Sequence, residues 1–267
     1  MMRLNVLLVA AALAGCASVP PSGGTPTAGQ KADPWENWNR KVFGFNDAVD
    51  KAVVKPVAEA YQKVVPQLVR KGVSNVLGNI GDVWSTANQF LQGKVQYGFE
   101  MGMRVLSNTF FGLGGLLDPA TEMGLTKRSE DFGQTLGRWG VGAGPYVVLP
   151  LLGPSSLRDT AALPADRYWA PSTLPSQETG RYAVAALELI NARTDLLSTT
   201  KLLDEVALDR YSFIRDAYLA RRQDQVYDGA PPAEDFQDEP ADAPNPASPA
   251  GAASAASPAA GASAPKK

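Results

Sequence analysis

A chain of 267 residues that is 45% hydrophobic can build a sizeable core, and a formal net charge of −2 offers no surplus to meet a nucleic-acid backbone. Charge is absent from the first 15 residues except for Arg3, while residues 31–228 hold 22 acids and 22 bases, so nucleic acid is excluded as a partner. With no histidine and a single cysteine, Cys16, there is no His triad, imidazole-ligated metal, intramolecular disulfide or thiolate zinc site, and no metal or cofactor is expected.

Arg3 precedes an apolar run from Leu4 to Leu13, and small residues follow. This is a secretory signal, too short for a membrane span. Leu13-Ala14-Gly15-Cys16 matches the bacterial lipobox, in which cleavage leaves an acylated cysteine as the mature N-terminus. Acyl chains contribute about 0.8 kcal/mol per buried methylene, enough together to anchor the protein stably. Ala17, in place of Asp, directs such a lipoprotein to the outer membrane under the bacterial sorting rule. Residues 16–32, rich in Pro, Ser, Gly and Thr, read as a flexible tether.

The middle of the chain reads as helices. Trp35, Trp38, Val42, Phe45, Val49 and Ala52 form one apolar stripe on a helix opened by Asp33-Pro34. Pro56 opens a short helix to Val65, and Pro66 another through Leu77. Further helices are expected over 82–91, 95–111, 131–139, 155–169 and 177–197. Leu208, Tyr211, Ile214 and Tyr218 mark the buried face of a last helix ending near Arg222. At most one short hairpin is expected, so the fold class is all-α. From Gly229 to the end, alanine is broken by recurrent proline and no large apolar cluster follows, which describes a disordered tail.

Two stretches do not suit a water-soluble bundle. No charge occurs between Arg104 and Asp118, or in the 19 residues from Trp139 to Leu157. Pro145, Pro150 and Pro154 prevent the second from forming a regular span. Non-helical backbone at membrane depth survives only when buried in protein or lining a cavity, and a buried loop of a soluble domain is the competing reading. Of the 18 glycines in residues 31–228, 16 fall between Gly72 and Gly153, where small residues permit close backbone approach as well as turns.

Other motifs carry little. Ser198-Thr-Thr-Lys201 has an S-x-x-K spacing without the accompanying S-D-N and K-T-G motifs. Gly140-Val-Gly142-Ala-Gly144 lacks a preceding strand, and Pro145 blocks a phosphate-binding helix start. Glu130-Asp131 and Asp204-Glu205 read as solvated helix surface, as do the alternating charges Asp209, Arg210, Arg215, Asp216, Arg221 and Arg222.

The chain resembles the MlaA (VacJ) family of outer-membrane lipoproteins. The matching segments are Asp33-Pro-Trp-Glu-Asn-Trp-Asn-Arg-Lys-Val-Phe-Gly-Phe-Asn46, Phe90-Leu-Gln-Gly-Lys94, Gly112-Leu-Gly-Gly115 with Asp118, and Glu130-Asp-Phe-Gly-Gln-Thr-Leu-Gly137. Gly140-Val-Gly-Ala-Gly-Pro-Tyr146, Leu149-Pro-Leu-Leu-Gly-Pro-Ser155 with Leu157-Arg-Asp159, and Arg215-Asp-Ala-Tyr218 continue it in family order. Trp38 stands where Phe is commoner and Asn37 where Gly is commoner. The resemblance implies a ring of helices over residues 33–228, lying in the inner leaflet of the outer membrane and pierced by an amphipathic channel. It implies extraction of misplaced outer-leaflet phospholipid beside a trimeric porin, delivery to a soluble periplasmic carrier, and no catalysed reaction.

On this reading Cys16 is the lipidation site. Trp139, Gly142, Gly144, Tyr146, Val148, Leu149, Leu151 and Leu152 contribute to the channel or touch lipid. Arg138 and Arg158, flanking that segment, face headgroup phosphates or pair with carboxylates such as Asp131 and Asp159. Trp35 and Trp38, close behind the tether, are candidate interfacial anchors. Two other classes stay open: a scaffold lipoprotein that docks porin or cell wall without moving lipid, and a cell-wall lytic enzyme resting on Glu100 or Glu130.

Overall fold

Proline and polar caps punctuate the chain, and the helices start where they stand. The computed structural model describes residues 28–231; the lipobox, most of the tether and nearly all of the tail lie outside them. The end of the expected tether is structured: Ala28–Lys31 form a single helical turn, and Ala32 accepts a bond from the Tyr146 N–H at 2.8 Å.

Helix α1 (Glu36–Val49) continues through a π-helical turn, Asp50–Val54, into α2 (Lys55–Val64). The expected fresh start at Pro56 is therefore a change of pitch. Proline has no N–H to bond the preceding turn, and the wider turn absorbs the mismatch. Pro66 then precedes α3 (Gln67–Leu91), one unbroken helix of 25 residues where the sequence suggested two. Gly78 and Gly81 broke the apolar pattern there. Each costs about 1 kcal/mol relative to alanine, which packing along the rest of the helix outweighs.

Gly93, at φ +75°, turns the chain tightly from α3 into α4 (Val95–Phe110). Asp118 caps the short α5 (Pro119–Glu122), and Asp131 caps α6 (Phe132–Arg138), each accepting from a backbone N–H in the first turn. Strands β1 (Tyr146–Leu149) and β2 (Gly153–Ser156) pair antiparallel, from Tyr146 opposite Ser156 to Leu149 opposite Gly153. The helix expected from Ser155 starts at α7 (Leu157–Tyr168), because Ser155 and Ser156 belong to β2 and Ser156 serves as the cap. Beyond a 3₁₀ turn at Pro171–Thr173 come α8 (Glu178–Asp195), the unforeseen α9 (Leu197–Val206) and α10 (Arg210–Val226).

A compact apolar core joins α1, the hairpin and α10: Val42, Tyr146, Val148 and Tyr211, flanked by Phe43, Tyr218 and Leu219. Asn39 staples α1 to β1. Its amide donates to Asp33 at 2.8 Å and to the Tyr146 carbonyl at 3.0 Å, and its oxygen accepts from the Val148 N–H at 2.9 Å. Asn46, two turns on, treats the Leu149 carbonyl and the Leu151 N–H alike. The inward face of α1 is thus Asn39, Val42, Phe43 and Asn46, whereas Trp38 and Phe45 of the expected stripe are exposed. On α10, Tyr211 is buried as expected. Leu208 stands outside the helix, fully exposed, and Arg215, read as solvent-facing, is buried instead.

Candidate functional site

Apolar periodicity locates a helix without saying which face turns inward, and in α3 and α4 the orientation is reversed. On α4, Val95, Phe99, Met103, Leu106 and Phe110 recur at steps of three and four, and every one is at least half exposed. Gly98, Met101, Arg104, Ser107 and Asn108 are turned in. On α3 the buried residues are Gly72, Asn79, Asp82, Ser85, Asn88 and Gln89, while Leu68, Val69, Val83, Phe90 and Leu91 face out. The loop after α4 extends the outer apolar surface with Phe111, Leu113, Leu116 and Leu117. Scattered exposed hydrophobes are ordinary, but a continuous face of this kind marks a surface meant to be covered. No described helix is long and apolar enough to cross a membrane.

The interior is correspondingly polar, and most of its groups are paired. Arg104 donates to both Asp118 oxygens, at 2.9 and 3.0 Å, to Thr121 Oγ1 at 3.1 Å and to the Leu125 carbonyl. Asn108 donates to Asp118 at 2.9 Å and accepts from the Ala120 N–H at 3.0 Å. Burial alone would raise the Asp118 carboxyl, but Thr121, Asn108 and Arg104 together hold it below the usual range. The sequence signal for this cluster is a lone arginine inside an apolar helix, four residues before an asparagine.

Two further networks correct the sequence reading. Glu130 is buried rather than solvated, accepting from Gln92 at 2.9 Å and from Lys94 at 3.1 Å; burial pushes its carboxyl up against those partners. Asp131 and Asp159 converge on Arg222, which donates to Asp131 at 2.6 Å through both terminal nitrogens and to Asp159 at 2.7 Å through Nε. Tyr218 adds a bond to Asp159 at 2.7 Å. Burial works against ionisation of Asp159, yet the Arg222 bonds and charge, with Tyr218, prevail and bring it down to about 2. The alternating charges of α10 therefore reach inward at Arg215 and Arg222.

The segment from Trp139 to Leu157 divides in two. Tyr146 and Val148 are 0% and 1% exposed, so they belong to the core and do not reach a lumen or lipid in this arrangement. Trp139, Gly142, Gly144, Leu151 and Leu152 are exposed, and Leu149 is half-buried. The hairpin tip carries Leu151 at φ +63°, held by Asn46. The two arginines also part company. Arg158 is buried and donates to Asp159 at 3.0 Å, the carboxylate pairing weighed above. Arg138 is exposed, with no hydrogen bond or ion pair among the described residues, and stays available to an anion. Trp38 is exposed and Trp35 half-buried.

Comparison with known proteins places this arrangement. The family model described as MlaA lipoprotein matches residues 31–225. The chain is 38% identical over 228 residues to the Intermembrane phospholipid transport system lipoprotein MlaA of Escherichia coli (strain K12), covering 82% of this chain and 87% of that protein. It is 32% identical to the protein of the same name from Haemophilus influenzae, over 85% of this chain and 90% of the relative. An uncharacterized protein of Rickettsia bellii is 33% identical over 73% of this chain and 76% of its own length. A solved structure from work on the structural basis for maintenance of bacterial outer membrane lipid asymmetry superposes with a TM-score of 0.63 at 36% identity, covering 73% of this chain and 98% of that one. On this match along the body, the chain belongs to the MlaA lipoprotein family.

Proposed function

We propose that this protein is an outer-membrane lipoprotein, anchored through acylated Cys16, that removes misplaced phospholipid from the outer leaflet through an amphipathic channel and maintains lipid asymmetry. The observation that carries the reading is the reversed burial of α3 and α4, apolar outward and polar inward. An apolar rim embeds the body in one leaflet without spanning the bilayer, and a polar interior gives a charged headgroup a path that hydrocarbon denies it. The relatives named as intermembrane phospholipid transport lipoproteins support the same assignment. Lipid passes from the channel to a soluble periplasmic carrier, and the body sits beside a trimeric porin. The exposed parts of the 139–157 segment, with Trp139, Leu151, Leu152 and the unpaired Arg138, are assigned to the channel mouth. Trp38 anchors the interface near the lipid tether.

Lipid extraction of the full-length protein purified in mild detergent tests the reading. Stoichiometric phospholipid supports it. A lipid-free protein whose loss leaves the outer-membrane barrier intact returns the scaffold reading. Photo-crosslinking from positions 149, 151 and 152 in the cell envelope gives the finer map: phospholipid or porin adducts are expected there.

A further inference from the structure

The side chains that α3 and α4 turn inward do not fill the space between them. Ser74, Asn79, Asp82, Arg104, Asp118 and Lys127 are among the residues enclosing a cavity of about 160 Å³. A single water needs only ~10–15 Å³, so there is room for a group of several atoms. Two buried polar atoms of its lining residues make no hydrogen bond to any described residue: the acceptor Asn79 Oδ1 and the donor Arg104 Nε. Asn79 is 8% exposed and Arg104 2%. Each such atom left unpaired costs about 1–3 kcal/mol, which favours a polar occupant offering both a donor and an acceptor.

The charges are graded from the inside to the mouth. Asp82, with a side chain 5% exposed, lies within, and Lys127, 43% exposed, stands 3.0 Å from it at the opening. Burial pushes the Asp82 carboxyl up, against the opposing pull of Lys127. Arg104 is largely spent on Asp118, Thr121 and Leu125. The inner end therefore offers Asp82 as an acceptor, with the Asn79 amide beside it, and the outer end offers an ammonium that can swing. The apolar loop after α4 adjoins the cavity without lining it, tied on through a lining residue: the Asn75 amide donates to the Leu116 carbonyl at 3.0 Å.

We infer that this cavity receives a zwitterionic phospholipid headgroup that ends in a primary ammonium, with the ammonium on Asp82 and Asn79, the phosphate on Lys127, and the acyl chains lying over residues 111–117. The order of charges matches: in such a headgroup the ammonium is outermost and the phosphate sits next to the glycerol that bears the chains. A trimethylated cap has no N–H to donate, and a glycerol cap has no charge to set against Asp82. The inference rests on the phospholipid-handling reading above and adds a preference for headgroup to it.

Native mass spectrometry of the full-length protein in detergent, supplied with equal amounts of phosphatidylethanolamine and phosphatidylglycerol, tests it. The wild type is expected to favour the ethanolamine lipid roughly tenfold, the effect of one hydrogen bond to a charged group. Asp82→Asn keeps the side-chain shape and should bring the ratio near one; Lys127→Gln should weaken both lipids together. Should Asp82→Asn not fold, Asn79→Asp adds a carboxylate at the same place and should raise the ratio, and an unchanged or lower ratio would overturn the inference. Glycerophosphoethanolamine should displace bound lipid and inorganic phosphate should not; equal displacement by phosphate makes this a plain anion site and overturns it. An unaltered ratio in folded Asp82→Asn removes the headgroup site while phospholipid handling stands. A wild type that holds no phospholipid removes both.

Discussion

Two regions of this body obey opposite rules of burial. Where α1, the hairpin and α10 meet, the interior is Val42, Tyr146, Val148 and Tyr211, the apolar arrangement of a protein in water. Where α3 and α4 meet, the interior is Asn79, Asp82, Ser85, Arg104 and Asn108 around a single buried Met101, and the exposed face is hydrophobic. Both regions are helix-rich and amphipathic, so amphipathicity alone does not reveal the solvent. The sign of the pattern does, and it changes from one region to the other within one chain.

The sharpest contrast comes from Arg104→Met. Removing the guanidinium leaves the half-buried Asp118 carboxylate with only its Asn108 and Thr121 bonds, at a cost of about 1–3 kcal/mol. Chemical unfolding in detergent should show that loss, and a change under ~1 kcal/mol would mean that the α3–α4 interior is wetter than its burial indicates. The matching change in the apolar region is Asn39→Ala, which strands the Tyr146 carbonyl and the Val148 N–H. At about 1–3 kcal/mol for a stranded buried group, it should also destabilise the fold and free the hairpin, seen as faster amide exchange in β1.

Acid should act more gently, and through the cluster that links the hairpin side to α6 and α10. Asp131 and Asp159 both have lowered pKa values, Asp159 from 3.8 to about 2. Their contribution is complete above the ordinary carboxylate range and is lost as pH falls from about 4 towards 2. Asp159→Asn should flatten the unfolding midpoint across that window, whereas Asp82 and Glu130, shifted up, act with the opposite sign and favour the fold as pH falls from their raised values to the ordinary carboxylate range. The smallest effect on stability belongs to Phe99→Ser with Phe110→Ser, within about 0.5 kcal/mol per site in detergent. The same pair should clearly weaken binding of the protein to vesicles, by sedimentation.

Much of this was legible in the sequence, for reasons that can be named. Helices were found where caps and prolines announced them, as at Asp131 and Pro66. The split of α3 failed because Gly78 and Gly81 interrupt the pattern without breaking the helix. Orientation was illegible: the stripe through Trp38 and Phe45 looks the same whether it faces a core or a bilayer, and only Val42 of its middle turned in. The charges of α10 misled for the same reason: Arg222 finds its carboxylates at Asp131 and Asp159, far away in the chain, and Arg215, bonded to Asp216 beside it, also faces Asp33. The 139–157 segment was recognised as unusual, but a period of two over four residues is too short to show that Tyr146 and Val148 face a core.

Spin labels placed singly at Phe99, Leu106 and Phe110, with Asp224 as the aqueous reference, decide whether the reversed face lies in lipid. With the protein in vesicles, the three helical positions should be open to oxygen, which concentrates in hydrocarbon, and shielded from a water-soluble nickel chelate, while Asp224 shows the reverse. If the chelate reaches Phe99, Leu106 and Phe110 as readily as Asp224, the apolar face is not in the bilayer and the account is wrong.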